Sequence, residues 1–385
     1  MTNNRKLIIH IGSHKTGTSS IQHTLFQNRA TLRKQGFTLF NQDPNGKERK
    51  SGNAITWIKF RLNRKHRIEG RIRKKLPAAL GTINGNVIIS AETFSWVFDG
   101  REIDRFKTNL SAYFDDIEII AYIRRQDLQT VSHYQQASKY GAFVAARFYG
   151  GESRALPSYK KHFQKYLNYH HRLGLWADAF GEKNLCMRIF EPDRLQNGDA
   201  VDDFFDAVGL IVETTPVRKN ESSGYQKTKV GHLISQQEFS LPVWRALIKH
   251  LDNTGILLPS RDEATNYYAH FKANNELLNR RFSLTNEPNL FNSNFNMYPA
   301  TANDRWTESS ANSAIQNLLR GVKSHSPFDK GEIEFLKKCA EKLKVGDVKS
   351  SRKLLSILEK YSPETEFFVH AKTSVKSRIK AYLRK

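Results

Sequence analysis

Short, nearly uninterrupted apolar runs alternate with longer amphipathic stretches through the N-terminal half of the chain. KLIIHI at 6–11 ends at Gly12 and has the length and content of a strand buried on both faces. VIIS at 87–90, IEIIAYI at 117–123 and LCMRIF at 185–190 repeat that signature, and residues 38–40 begin a further candidate strand. Between them, IQHTLFQNRATLRKQG places Ile21, Leu25, Phe26 and Leu32 near helical spacing, with Gly36 suited to the C-terminus of one helix. RRQDLQTVSHYQQ opens another helix directly after the strand at 117–123, and DDFFDAV at 202–208 reads as a short one. Strand–helix alternation of this kind predicts an α/β fold: a parallel sheet with helices on both faces. From about residue 310 the pattern is helical only. GEIEFLKKCAEKLK and DVKSSRKLLSILEKY predict a helical hairpin turning around Gly346–Asp347. The expected organisation is an α/β domain over residues 1–305 and a basic, helical C-terminal appendage over 306–385.

Composition supports this and adds a charge argument. A chain of 385 residues with 39% apolar and 11% aromatic residues can bury a sizeable core. Its formal net charge of +23 favours anionic partners, whether a nucleotide, an acidic glycan, nucleic acid or a lipid surface, with a merely solvated basic surface as the plain alternative. The excess is concentrated at 47–75, in Lys47, Arg49, Lys50, Lys59, Arg61, Arg64, Lys65, Arg67, Arg71, Arg73, Lys74 and Lys75, opposed by Glu48 and Glu69. Ile55, Trp57, Ile58, Phe60, Leu62 and Ile68 interleave there, and the segment is expected to form helix and loop with one apolar face. That regularity favours packing over base stacking, so nucleic acid is not the expected partner. Cys186 and Cys339 form neither a disulfide framework nor a zinc pattern. The first apolar stretch is too short for a signal-peptide core, and no run of roughly 18 apolar residues occurs. A soluble, cytoplasmic protein is the expectation. Its tail, with Lys372, Lys376, Arg378, Lys380, Arg384 and Lys385 and no acid, leaves open a peripheral contact with anionic lipid.

Candidate chemistry begins at Gly12-Ser13-His14-Lys15-Thr16-Gly17-Thr18-Ser19-Ser20, between the first strand and the first helix. Backbone N–H groups at a helix N-terminus receive phosphate oxygens. Gly12 and Gly17 let the backbone curl close to an anion, Lys15 adds a charge, and Thr16, Thr18 and Ser19 add hydroxyl donors. The glycine spacing is that of the nucleoside-triphosphate loop, yet Thr18 stands where that loop has lysine, so the Mg²⁺-ligating role of the next residue is not implied and no metal is expected. A second polar segment follows the strand at 117–123. Arg124 lies at a strand's C-terminal end, where ligands of open α/β sheets collect, and Ser132 lies eight residues on, in the next helix. Arg125 either strengthens anion binding or faces solvent. Glu92 follows the strand at 87–90, with Ser90 and Thr93 as candidate helpers and His14 and His133 as rival bases.

IHIGSHKTGTSSIQ resembles the 5′-phosphosulfate loop of the sulfotransferases that use 3′-phosphoadenosine 5′-phosphosulfate (PAPS), especially bacterial members related to glycan sulfotransferases. The resemblance extends in weaker pattern over about residues 5–300, through YLNYHHRLGLWADAFGEKNLCMRIFEPDRL, VDDFFDAVGL, RKNESSG (with Asn220 and Ser222) and NRRFSLTNEPNLF. It implies a P-loop-type α/β fold, PAPS as co-substrate and a hydroxyl- or amine-bearing acceptor such as a glycan. It further implies that Ser13, His14, Lys15, Thr16, Gly17, Thr18 and Ser19 surround the 5′-phosphosulfate, that Arg124 and Ser132 hold the 3′-phosphate, and that Glu92 takes the acceptor proton while Lys15 stabilises the leaving phosphate. An ATP-dependent P-loop transferase and a non-catalytic anion-binding protein remain the competing readings.

Overall fold

The computed structural model describes residues 4–62, 68–213, 223–237, 239–323, 330–344 and 347–361. Arg64, Lys65, Arg67, Asn220, Ser222, Gly346 and the basic tail lie outside them. The chain divides into two compact units, one of residues 1–236 and 255–305 and the other of 237–254 and 306–385.

The first unit is α/β. Its strands are β1 (Lys6–His10), β2 (Phe37–Phe40), β3 (Ile58–Leu62), β4 (Ile68–Ile72), β5 (Asn86–Ser90), β6 (Asp116–Ile123) and β7 (Leu185–Ile189). Its helices are α1 (Thr18–Gln27), α2 (Arg29–Lys34), α3 (Leu76–Gly81), α4 (Gly100–Leu110), α5 (Gln126–Ala137), α6 (Phe143–Tyr149), α7 (Gln164–Leu167), α8 (Tyr169–Phe180), α9 (Ala200–Val208), α10 (Tyr225–Ile234), α12 (Arg261–Ala269) and α13 (Lys272–Phe282). The second unit holds α11 (Leu241–Ile248), α14 (Glu308–Lys323), α15 (Lys330–Leu343) and α16 (Val348–Tyr361).

Five strands form one parallel sheet in the order β2-β5-β1-β6-β7. Their apolar runs are explained by the two-residue period of a strand. Leu7, Ile9, Val87, Ile89, Ile119 and Ala121 point to one face, where they meet Ile103 and Phe106 of α4 and Leu173 and Trp176 of α8. Ile8, Ile88, Ile120 and Tyr122 point to the other, against Ile21 and Leu25 of α1 and Phe204 and Phe205 of α9. Both faces are covered, as the continuous hydrophobicity of the central strands requires.

Two expectations need correction. Among its described residues the basic segment forms a pair of strands after one short helical turn at Ile55–Trp57, not a helix and loop. β3 and β4 pair antiparallel, with Ile58 opposite Ile72, Phe60 opposite Gly70 and Leu62 opposite Ile68. The apolar residues there repeat every second position, and β4 alternates buried and half-buried along its length, which is the period of a strand with one face packed. The region after the first loop is not one helix either. α1 ends at Gln27 and α2 begins at Arg29; at Asn28 the side chain adds a bond (3.1 Å) to the Thr24 carbonyl, which also accepts the Asn28 backbone N–H (2.9 Å).

In the second unit, α15 and α16 form the expected hairpin around buried Ala340, Leu355 and Leu358. α14 lies on α11 at Gly321, where a Cβ would fall 2.2 Å from the Ala246 carbonyl oxygen.

Arg125 neither faces solvent nor is available to an anion. It is 1% exposed, with Nε 2.8 Å from Asp127 Oδ1 and Nη2 2.9 Å from Oδ2. Nη1 donates to the carbonyls of Asn292 and Asn294, and the guanidinium lies over the Phe295 ring at 3.9 Å. Tyr298 donates its hydroxyl to Asp127 Oδ2 at 2.8 Å. This clasp ties residues 292–298 to the start of α5. Asp127→Ala leaves a buried guanidinium unpaired and is expected to lower unfolding free energy by about 3–5 kcal/mol, with most of it recovered in Arg125→Met/Asp127→Leu. Denaturant titration checks this; an equal loss in the double variant would refute the pairing argument.

Candidate active site

In the order β2-β5-β1-β6-β7 the chain leaves β1 toward one edge of the sheet and leaves β6 toward the other, so a crevice opens between their C-terminal ends. The loop after β1 fills this crevice. Ser13 N donates to the Tyr122 carbonyl (3.0 Å) and Tyr122 N to the Gly12 carbonyl (2.7 Å), which anchors the loop to β6. Gly12, Lys15 and Gly17 all have positive φ (86°, 61° and 77°). For Lys15 that left-handed conformation costs roughly 1–2 kcal/mol, held in place by the surrounding contacts. Gly17 is required twice over: its φ is positive, and a Cβ would lie 2.6 Å from Ala200 Cβ. As N-cap of α1 it brings no capping side chain, and the helix has no acid in its first turn. Among the described residues the backbone N–H groups of Lys15, Thr16, Gly17, Thr18 and Ser19 meet no acceptor, which leaves an anion as the natural partner.

Three cations surround the loop, and among the described residues none of them forms an ion pair. Lys15 is half-buried, and burial together with the neighbouring Lys139 and Arg124 pushes its ammonium down to about 8. Arg124 donates from Nη1 to the Lys15 carbonyl at 3.2 Å and stands over the Phe190 ring; burial lowers its affinity for its proton. The two groups proposed to grip the nucleotide are therefore on the same edge of the sheet and in contact. Arg172, on α8, is 1% exposed and lies directly behind the loop. Its Nη2 donates to Ser13 Oγ at 2.8 Å, its guanidinium stands over Tyr166 and Tyr169, and its Nε has no partner. No carboxylate pairs with it among the described residues. Burial lowers its proton affinity. A buried guanidinium without a counter-ion is costly unless an anion approaches.

Glu92 stands beside this cluster. β1 and β5 are in register at His10 and Ser90, which carries Gly12 and Glu92 to the same sheet edge. A Cβ on Gly12 would lie 3.0 Å from Glu92 Cα. The Glu92 carboxylate is half-buried at the start of the short helical turn Glu92–Trp96, and its Oε2 accepts from Gln22 Nε2 at 2.7 Å.

The remaining site residues fall into two groups. Thr16 donates its hydroxyl to the Ser13 carbonyl (2.7 Å) and Ser13 Oγ receives Arg172, so both side chains face inward and only their loop backbone addresses the crevice. Thr18 is buried and Ser19 exposed. Ser132 sits half-buried on α5 with no hydrogen bond to Arg124 or to the loop. α5 reaches the loop one position on and one turn back: the His133 ring stacks on His14 (4.7 Å) and Gln129 Nε2 donates to the His14 carbonyl (2.7 Å). His14 and His133 are both buried, and His14 also contacts Tyr166 through its backbone N–H and Nδ1. Burial, Arg172 and Lys15 push His14 down to about 3, and burial and His14 drive His133 well down. Both imidazoles are buried, on Tyr166 and Tyr149, whereas the Glu92 carboxylate is only half-buried. Ser90 is buried and bonded to His10 and Gln22, and Thr93 is turned toward the Ile55 carbonyl.

Sequence reading missed Arg172, Gln22 and Gln129. A signal for Arg172 existed: Tyr169, Arg172, Leu173 and Trp176 follow the i, i+3, i+4, i+7 spacing of a core stripe, and an arginine there has no solvent to face. No group of three or more His, Cys, Asp or Glu side chains able to hold a metal lies among the described residues, and none of their helices is long and apolar enough to cross a membrane. A cleft of about 690 Å³ beside β7, lined by Arg188, Arg194, Glu287 and Asn292 among others, contains no loop residue, nor Arg124 or Glu92.

No family model matches the chain. Over 207 residues it is 27% identical to an uncharacterized protein of Archaeoglobus fulgidus, an alignment covering 51% of this chain and 53% of that protein; the chain thus spans about half the length of the curated relative it matches. A solved sulfotransferase from Alicyclobacillus acidocaldarius is 14% identical, with 72% of this chain and 95% of that one covered at a TM-score of 0.36. At these levels the functional reading rests on the geometry of the site itself.

Lys15 must be protonated to hold an anion, and its free-state value lies near 8. Sulfate does not titrate in this range. Its affinity is expected to be level below about pH 8 and to fall as pH rises further, by up to about tenfold per unit, with the fall abolished in Lys15→Met. Calorimetric titration with sulfate across pH 6.5–9.5 on the order of half-unit steps checks this.

Proposed function

We propose that this protein is a PAPS-dependent sulfotransferase acting on a hydroxyl or amine of an acidic glycan. One observation carries the reading: Lys15, Arg124 and Arg172 converge on the loop that ends in an uncapped helix N-terminus, no ion pair to any of them is found among the described residues, and the carboxylate of Glu92 stands against the same loop.

In this reading the N–H groups of residues 15–19 and the Lys15 ammonium receive the 5′-phosphosulfate, and the Arg124 guanidinium addresses the 3′-phosphate by charge-assisted hydrogen bonds. Ser132, on the flank of α5 beside the loop-binding residues, is the hydroxyl that would join it. The acceptor oxygen or nitrogen attacks sulfur in line. Its bond to sulfur forms as the sulfur–oxygen bond to the 5′-phosphate breaks. The bonding pair remains on the phosphate oxygen, where the loop N–H groups and Lys15 stabilise it, and the acceptor proton passes to Glu92. Adenosine 3′,5′-bisphosphate leaves. The acidic character of the acceptor is supported by β3 and β4: the hairpin packs on the turn that begins at Glu92, and it exposes Lys59 and Arg61, followed by Lys74 and Lys75. A site in the cytoplasm, with a peripheral lipid contact through the basic tail, belongs to the same proposal.

Two experiments test it. Adenosine 3′,5′-bisphosphate without metal is expected to bind at least tenfold more tightly than Mg·ATP, a difference of about 1.4 kcal/mol; the reverse order would favour an ATP-dependent transferase. Glu92→Gln is expected to lower transfer of labelled sulfate from PAPS by about 10²–10⁴-fold with bisphosphate binding intact. Full retention of transfer removes Glu92 from the mechanism, and no transfer by the parent protein over a panel of acidic glycans leaves an anion-binding protein.

A further inference from the structure

Gln22 is 2% exposed and lies on the face of α1 turned toward β5. Its Nε2 is 2.7 Å from Glu92 Oε2 and 3.2 Å from Ser90 Oγ, and Ser90 Oγ is 2.8 Å from His10 Nδ1. The amide carries two hydrogens, one for the carboxylate and one for the serine. His10 is fully buried and burial pushes it down to about 3, so the ring bonded to Ser90 is neutral. Turning the Gln22 amide over would set its carbonyl oxygen against a carboxylate oxygen. The carboxylate therefore fixes which way the amide faces, and Glu92 Oε2 is held as an acceptor.

We propose that Gln22 is the positioning residue for Glu92, tying the base to the helix whose N-terminus receives the anion. This rests on the sulfotransferase reading of Glu92. Gln22 lies four residues beyond Thr18, about 6 Å along the helix axis. One rigid turn of α1 thus sets the separation between the site of the leaving oxygen and the site of the acceptor proton. Oε2 is occupied by Gln22, which leaves Oε1 to receive that proton. A carboxylate attached only through its own side-chain torsions would sample several orientations, and misplacement by about 1 Å costs on the order of 10²-fold in rate.

The test is a double-mutant cycle on the full-length protein, with kcat, KM for PAPS and the affinity for adenosine 3′,5′-bisphosphate measured for Gln22→Met, Glu92→Gln and the double variant. Gln22→Met is expected to lower kcat by about 10- to 100-fold while bisphosphate affinity stays within about threefold. In the Glu92→Gln background the same change is expected to alter kcat less than about threefold, because the group it positions is gone. An equal fall in both backgrounds marks a structural role and overturns the proposal. Unchanged kcat in Gln22→Met, with Glu92→Gln inactive, overturns it while sparing the base assignment. Full activity in Glu92→Gln overturns both. If Gln22→Met does not fold, Gln22→Glu, which keeps the shape and replaces donor by acceptor, is read in the same way.

Discussion

The guanidinium of Arg172 touches Ser13 Oγ from behind the loop after β1, has an unpartnered Nε, and finds no carboxylate among the described residues. Almost every other feature of the loop acquires its meaning from that uncompensated charge. A buried cation raises the potential over its surroundings, and the same small volume holds Lys15, Arg124 and the open N–H groups at the head of α1. The strained left-handed Lys15 and the two positive-φ glycines then belong to one arrangement: a backbone curled so that its donors point outward while the cation sits inside the curl. The His14–His133 stack, kept neutral by burial and by these cations, fills the back wall without adding charge of its own.

On the opposite flank, the sheet register delivers the acid. Because β1 and β5 run parallel with His10 beside Ser90, the residues just beyond each strand must emerge side by side. Glu92 therefore meets the loop through ordinary strand pairing, and the close approach at Gly12 leaves no space for a side chain there. The loop after β1 and the carboxylate are thus parts of the same sheet edge, joined below by the Gln22–Ser90–His10 chain.

The central strands were legible because a parallel strand buried on both sides is an apolar run, and nothing else of that length reads the same way between amphipathic segments. The loop was legible because glycine spacing and a strand–helix junction are local properties. What escaped was tertiary. The β3–β4 hairpin hides its two-residue period under interleaved lysines and arginines, and Phe60 opposite Gly70 gives no symmetrical pattern to read. For Arg125 the sequence left anion binding and solvent as alternatives; its partners at 292–298 are remote in sequence and only the fold brings them together.

That remoteness bears on how the protein is made. The clasp around Arg125 draws on the carbonyls of Asn292 and Asn294 and the hydroxyl of Tyr298, whereas β6 and α5 have left the ribosome long before those residues are translated. Until then, of the hydrogen-bond partners in this clasp, Asp127 alone has been made, and the segment that covers the guanidinium is missing. Completion of the first unit is thus a late event in synthesis, and nascent chains halted upstream of residue 292 carry an open seam at the very strand end that bears Arg124.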